Sequence, residues 1–154
     1  MSQYHKGQFG AGFEHYTVDE TMRYRTAFVH RQNTTLGAPV GLSLDGNAPD
    51  ANVTEDTSNR ILLRDHTTSI VKAYVVGHRS DDAESAAYEV TAVVLCVGGT
   101  AILTSTITVL HEDVPAWGVP LSAGADRLFQ INGLQATAVM VQWAAVVHIT
   151  EIGV

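Results

Sequence analysis

Of 154 residues, one is cysteine, Cys96. No disulfide can form within the chain, and no thiolate metal centre can be built from it. Cys96 lies inside an apolar run, so a buried structural thiol is expected. Stability must come from a packed core and from subunit contacts. Charge is scarce as well. Charged residues are 16% of the chain, against about 25% in an average globular domain. The hydrophobic share is an ordinary 45%, so Thr, Ser, Asn, Gln and Gly fill the gap. A polar, weakly charged surface suits a protein in lasting contact with others. The formal net charge is -7, and the basic residues are scattered apart from Arg23, Arg25 and Arg31. That balance argues against binding nucleic acid through its phosphates.

Long hydrophobic runs are missing too. The longest apolar stretches, 92–97 and 139–147, are too short or too interrupted for a membrane-spanning helix. No charged stretch leads into an apolar run after Met1, so no signal peptide is expected, and the chain reads as a soluble protein made in the cytoplasm. Helical periodicity is almost absent. The one short candidate is 81–87, with Asp81 at its start.

What is present is strand grammar. Runs rich in Val, Ile, Thr, Tyr and Phe are separated by Gly, Asn, Asp and Pro. Strands are expected over 24–31, 40–44, 60–64, 69–77, 87–97, 101–110, 117–121, 127–131 and 138–149. Gly98-Gly99 predicts a two-residue hairpin, and Asn132-Gly133 predicts another. Asp45-Gly46-Asn47 predicts a turn. Thr104, Thr106 and Thr108 alternate with apolar neighbours, which predicts one dry face and one covered by threonine. In the last run Val141, Trp143, Ala145, Val147 and Ile149 share a side, and that side is expected to be core.

The expected fold class is therefore all-β: an antiparallel two-sheet β-sandwich, jelly-roll-like, with a small closed barrel as the alternative. Residues 1–23 carry Gly7, Gly10 and Gly12 among aromatics and are expected as an extended N-terminal arm. Residues 24–154 are expected as the β-sandwich domain.

Little in the chain points to chemistry. The histidines form neither a His-x-His nor a His-x-x-x-His pair. There is no Gly-x-Ser-x-Gly elbow. Asp65-His66 and Asp81-Asp82 read as turn residues that cap local amides. Asp45-Gly46-Asn47-x-x-Asp50 falls short of a calcium loop because of Pro49 and the missing terminal Glu. No catalytic residue, cofactor or metal ligand is expected. What remains is a set of large aromatics in irregular or edge segments: Tyr4, Phe9, Phe13, Tyr16 and Trp117. Aromatics are enriched in interface cores, so these are the expected interface residues. They are weighed against closing the ends of the domain.

From Tyr88 to Glu151 the chain resembles a module of bacteriophage virion proteins of tail, fibre or head-decoration type. The residues that carry the resemblance are Tyr88-Glu89-Val90, then Thr108-Val109-Leu110-His111-Glu112-Asp113 before Trp117-Gly118-Val119. Leu128-Phe129-Gln130-Ile131-Asn132-Gly133-Leu134 and Val141-Gln142-Trp143-Ala144-Ala145-Val146 follow, with Thr150-Glu151 at the end. Asn132-Gly133-Leu134 departs from the usual Thr-Gly with a polar turn after it. The resemblance implies a virion β-sandwich, often a homotrimer, with no catalytic residues. A short chain without fibre repeats favours a capsid decoration (cement) protein, made in the host cytoplasm and bound to the major capsid protein on the capsid surface. The alternative is a tail or tail-fibre component that binds a host glycan or a tail partner, with the loops of Trp117 or His111 as contacts. A metal enzyme of cupin-like fold is the third class.

Overall fold

The computed structural model describes residues 3–6, 14–18, 22–48, 59–125 and 127–153, the first two stretches as backbone alone. Residues that alternate apolar and polar put every second side chain on one face of an extended chain. Here they form ten strands: β1 (Gln3–Lys6), β2 (Glu14–Val18), β3 (Met22–Asn33), β4 (Val40–Gly41), β5 (Thr67–Arg79), β6 (Ser85–Cys96), β7 (Thr100–Glu112), β8 (Leu121–Ala123), β9 (Phe129–Gly133) and β10 (Val141–Gly153). The larger sheet has the order β1-β2-β3-β10-β5-β6-β7, and the smaller β4-β9-β8. All pairings are antiparallel. The chain is all-β, and β5, β6 and β7 form a meander.

One face of the larger sheet is buried. Burial alternates strictly along β5, β6 and the first part of β10. Val141, Trp143, Ala145, Val147 and Ile149 lie in the core, as their shared side predicts. The same cluster takes in Phe129 and Ile131 of the smaller sheet, and Ile61, Leu63 and Val119 from the connections.

Trp143 organises this core. Its ring lies 6.5 Å from that of Tyr88 and 5.7 Å from that of Trp117. Its indole nitrogen donates to Gln135 Oε1 at 3.0 Å. The Gln135 amide in turn donates to the carbonyls of Asn33 and Val139, so a wholly buried amide is held by the chain around it. Two glycines admit the ring. A methyl on Gly77, the cross-strand neighbour, would sit 2.8 Å from it, and one on Gly133 would sit 2.5 Å away. Gly133→Ala is expected to lower the unfolding free energy by roughly 1–3 kcal/mol through overpacking. Gly118→Ala, with nothing within 4 Å of the new carbon, should leave it unchanged. Denaturant midpoints of the two variants check this.

A second buried group fixes the far end of β10. Glu151 is 1% exposed. Its Oε1 accepts from Arg23 at 3.2 Å and faces Arg25 at 3.4 Å. Its Oε2 accepts from the Arg64 amide at 3.2 Å. Arg25 also donates to the Leu62 carbonyl. The network ties the 60–64 segment to β3 and β10.

Several expectations need correction. Asn132-Gly133 does not turn. It closes β9, paired with β4, and Gly133 is needed for its close approach to Trp143. The Gly98-Gly99 hairpin forms, but Cys96 pairs with Thr100 across Val97, Gly98 and Gly99, and only Gly98 has positive φ. That is the longer hairpin class. Residues 81–87 form no helix: a turn precedes β6, which begins at Ser85. Residues 60–64 contribute only an isolated bridge, Leu62 to Leu128. Within the expected arm, 3–6 and 14–18 are strands of the larger sheet, with β2 paired to β3.

Candidate interaction surface

The expected interface aromatics are distributed differently from the sequence reading. Trp117 is 4% exposed and packs against Trp143, because its segment turns inward beside β9. It belongs to the core. Tyr4 and Tyr16 fall on β1 and β2, where only the backbone is described, and Phe9 and Phe13 lie outside the described residues.

The apolar surface lies instead on the larger sheet. On the face turned away from the core, β5 presents Ile70, Tyr74 and Val76, each about half exposed. The register extends this patch sideways. Tyr74 lies opposite Val146 of β10, Ile70 opposite Val93 of β6, and Val76 opposite Ala144 and Ala87. Tyr24 and Ile152 continue it at the β3 end. A polar row crosses the middle, with His148, Lys72, Thr91 and Thr106 in register. His148 Nδ1 is hydrogen-bonded to Tyr24 Oη at 3.0 Å and to Thr26 Oγ1 at 3.2 Å. Antiparallel sheets with one wet face normally show polar residues there. Here apolar patches lie on either side of that row.

The edge strand β7 departs further from expectation. The dry face predicted for it does not form. Both sides of β7 are open over 103–111, and Leu103, Ile107, Val109 and Leu110 are exposed. On the core side, Ile107 lies opposite Val90 and Val109 opposite Tyr88. Those β6 residues are buried while their β7 neighbours are not.

At the strand ends, carboxylates hold loops. Asp65 Oδ1 accepts from the Gly98 amide at 2.9 Å and from the His66 amide at 3.0 Å. These amides, Gly98 first, hold the Asp65 carboxyl below its ordinary value. Asp81 accepts from the Ala83 amide, which is the capping role expected of it. Burial pushes the Cys96 thiol up, and the side chain is fully buried. Among the described residues, no three His, Cys, Asp or Glu side chains converge on a metal position.

The Asp65 contact gives a pH prediction. A depressed carboxylate contributes stability that is complete above its unfolded value and is lost as pH falls through the folded one. The Gly98 amide proton resonance should therefore titrate with a midpoint below 3.8. Asp65→Asn should remove that titration.

The larger sheet thus carries apolar patches on its outer face and an open edge at β7. Comparison with protein-family models, with curated proteins and with solved structures gives no match.

Proposed function

We propose that this chain is a non-enzymatic structural subunit that works by packing against other protein subunits. The observation that carries the reading is the apolar outer face of the larger sheet, centred on Ile70, Tyr74 and Val76. Its cross-strand pairs group these residues into two apolar patches, one on each side of the His148–Lys72–Thr91 row. Burying such a patch stabilises by about 25 cal/mol per Å², and repeated copies add avidity.

On this reading the two sheets are the layers of a β-sandwich. The β5-β6-β7 meander stands where a jelly roll would pass from sheet to sheet. The extended arm becomes, for 3–6 and 14–18, a strand pair added to the sheet. The resemblance of residues 88–151 to phage virion modules supports a more specific form: a capsid decoration protein bound to the major capsid protein and repeated over the head. The tail or glycan-binding alternative loses one of its two anchors, since Trp117 is in the core.

Cryo-electron microscopy of particles from cells making the chain tests the virion form. Density for it in repeated copies on the head shell is expected. Its presence on the tail would favour the alternative, and its absence from particles would overturn both.

A lysine pair tests the face itself. Tyr74→Lys with Val76→Lys is expected to leave the circular dichroism spectrum unchanged and to weaken assembly at least tenfold, about 1.4 kcal/mol.

A further inference from the structure

We propose that β7 is completed by β7 of a second copy, paired antiparallel about a two-fold axis at Thr106. This deepens the assembly reading and rests on it. The larger sheet ends in two different edges. One is β1, of 4 residues; the other is β7, of 13. Among the described residues β7 pairs with β6 alone, apart from the Thr100 amide, which donates to the Gly124 carbonyl. Its outer row of backbone donors and acceptors is open.

Protein edges usually carry a defence: an inward charge, a proline, a bulge or a short length. In β7 the register shifts lie at Val93/Val94 and Ala87/Tyr88 of the partner strand. Between them 104–109 run regularly against β6. No charged residue and no proline occurs from 100 to 110. The central stretch is undefended.

The occupant follows from charge and register. A two-fold pairing sets each residue against a copy of this same strand, so a charge near the axis would meet its like. Here there is none. The acidic end of β7, Glu112 followed by Asp113, falls beside the uncharged start of the other copy, whereas a parallel pairing would set Glu112 against Glu112. With the axis at Thr106, Thr104 meets Thr108 and Thr106 meets itself on the outer face. On the other face Ser105 meets Ile107. Cross-strand threonine pairs are favourable, and the second copy covers Ile107, now open to water. Such a contact is self-complementary, as a two-fold interface must be. It joins two larger sheets into one and continues the apolar face across the axis. The trimer implied by resemblance would then use the sheet face, leaving this edge to join two copies.

Disulfide trapping in the full chain tests the pairing. In an antiparallel pair, opposed Cβ atoms lie about 4.5–5.5 Å apart, close to disulfide range, and Cys96 is buried and does not compete. Thr106→Cys is expected to give a linked pair of chains under mild oxidation. Leu36→Cys, exposed in the connection after β3 and on neither the sheet face nor the β7 edge, should not. Thr106→Lys sets two ammonium groups at the axis and should abolish the pair while the β-type circular dichroism spectrum persists. A chain that assembles, yet stays unlinked as Thr106→Cys and keeps its mass as Thr106→Lys, would overturn the β7 pairing and leave the assembly reading standing. A chain monomeric at every concentration would overturn the β7 pairing, and a chain that binds no partner subunit, the head shell included, would overturn the assembly reading.

Discussion

Trp143→Ala is expected to cost roughly 3–5 kcal/mol of unfolding free energy, a large share of the about 5–15 kcal/mol that holds a domain of ordinary stability. The ring is fully buried between Gly77 and Gly133 and touches two other aromatics. Its removal leaves a cavity lined by backbone, and strands cannot collapse into it without breaking their pairing. The loss is also chemical, because Gln135 Oε1 gives up its indole donor in a wholly buried position. Trp143→Phe separates the two contributions: most of the volume stays, and the hydrogen bond goes. It should fall between wild type and Trp143→Ala in urea midpoint. A Trp143→Phe variant as unstable as Trp143→Ala would show that the hydrogen bond, rather than packing, carries the site.

Glu151→Ala should be comparably severe, roughly 3–5 kcal/mol, the cost of removing one partner from a buried charge network. Arg25 is 5% exposed and would keep its charge opposite an alanine. The Arg64 amide loses its acceptor at the same time, which frees the 60–64 segment from β10. Replacing Arg25 and Glu151 together, Arg25→Met with Glu151→Leu, should recover much of the loss, since an apolar pair avoids the desolvation cost and Arg23, 19% exposed, reaches water. If the double variant is less stable than Glu151→Ala, the network contributes net stability and the argument from desolvation fails.

How much of this could be read from residues alone varies by element. The four long strands of the meander and the closing strand were legible because each has period-two alternation or a β-branched run. The Trp143 side was legible for the same reason. The short elements were read only roughly: 40–44 shortens to β4, 117–121 gives way to β8 at Leu121–Ala123, and 60–64 keeps only an isolated bridge, because β9 and the core place these segments rather than local preference. Asn132-Gly133 misled because a favoured turn dipeptide and a glycine required for ring packing look identical in one dimension. The outer face had a visible signal that alternation obscured. In β5, Ile70, Tyr74 and Val76 fall on one parity, and Val71, Ala73 and Val75 fall on the other. The outer parity also carries Thr68, Lys72 and His78, so it is mixed rather than polar. The openness of β7 could not be read at all, since strand order decides which strand is last.

Sedimentation velocity of the purified chain over a range of concentrations bears most directly on its role. The apolar face and open edge predict self-associated species whose share rises with concentration and falls for the Tyr74→Lys, Val76→Lys variant. A single-chain mass throughout, unchanged by those lysines, would contradict self-association through this face and edge.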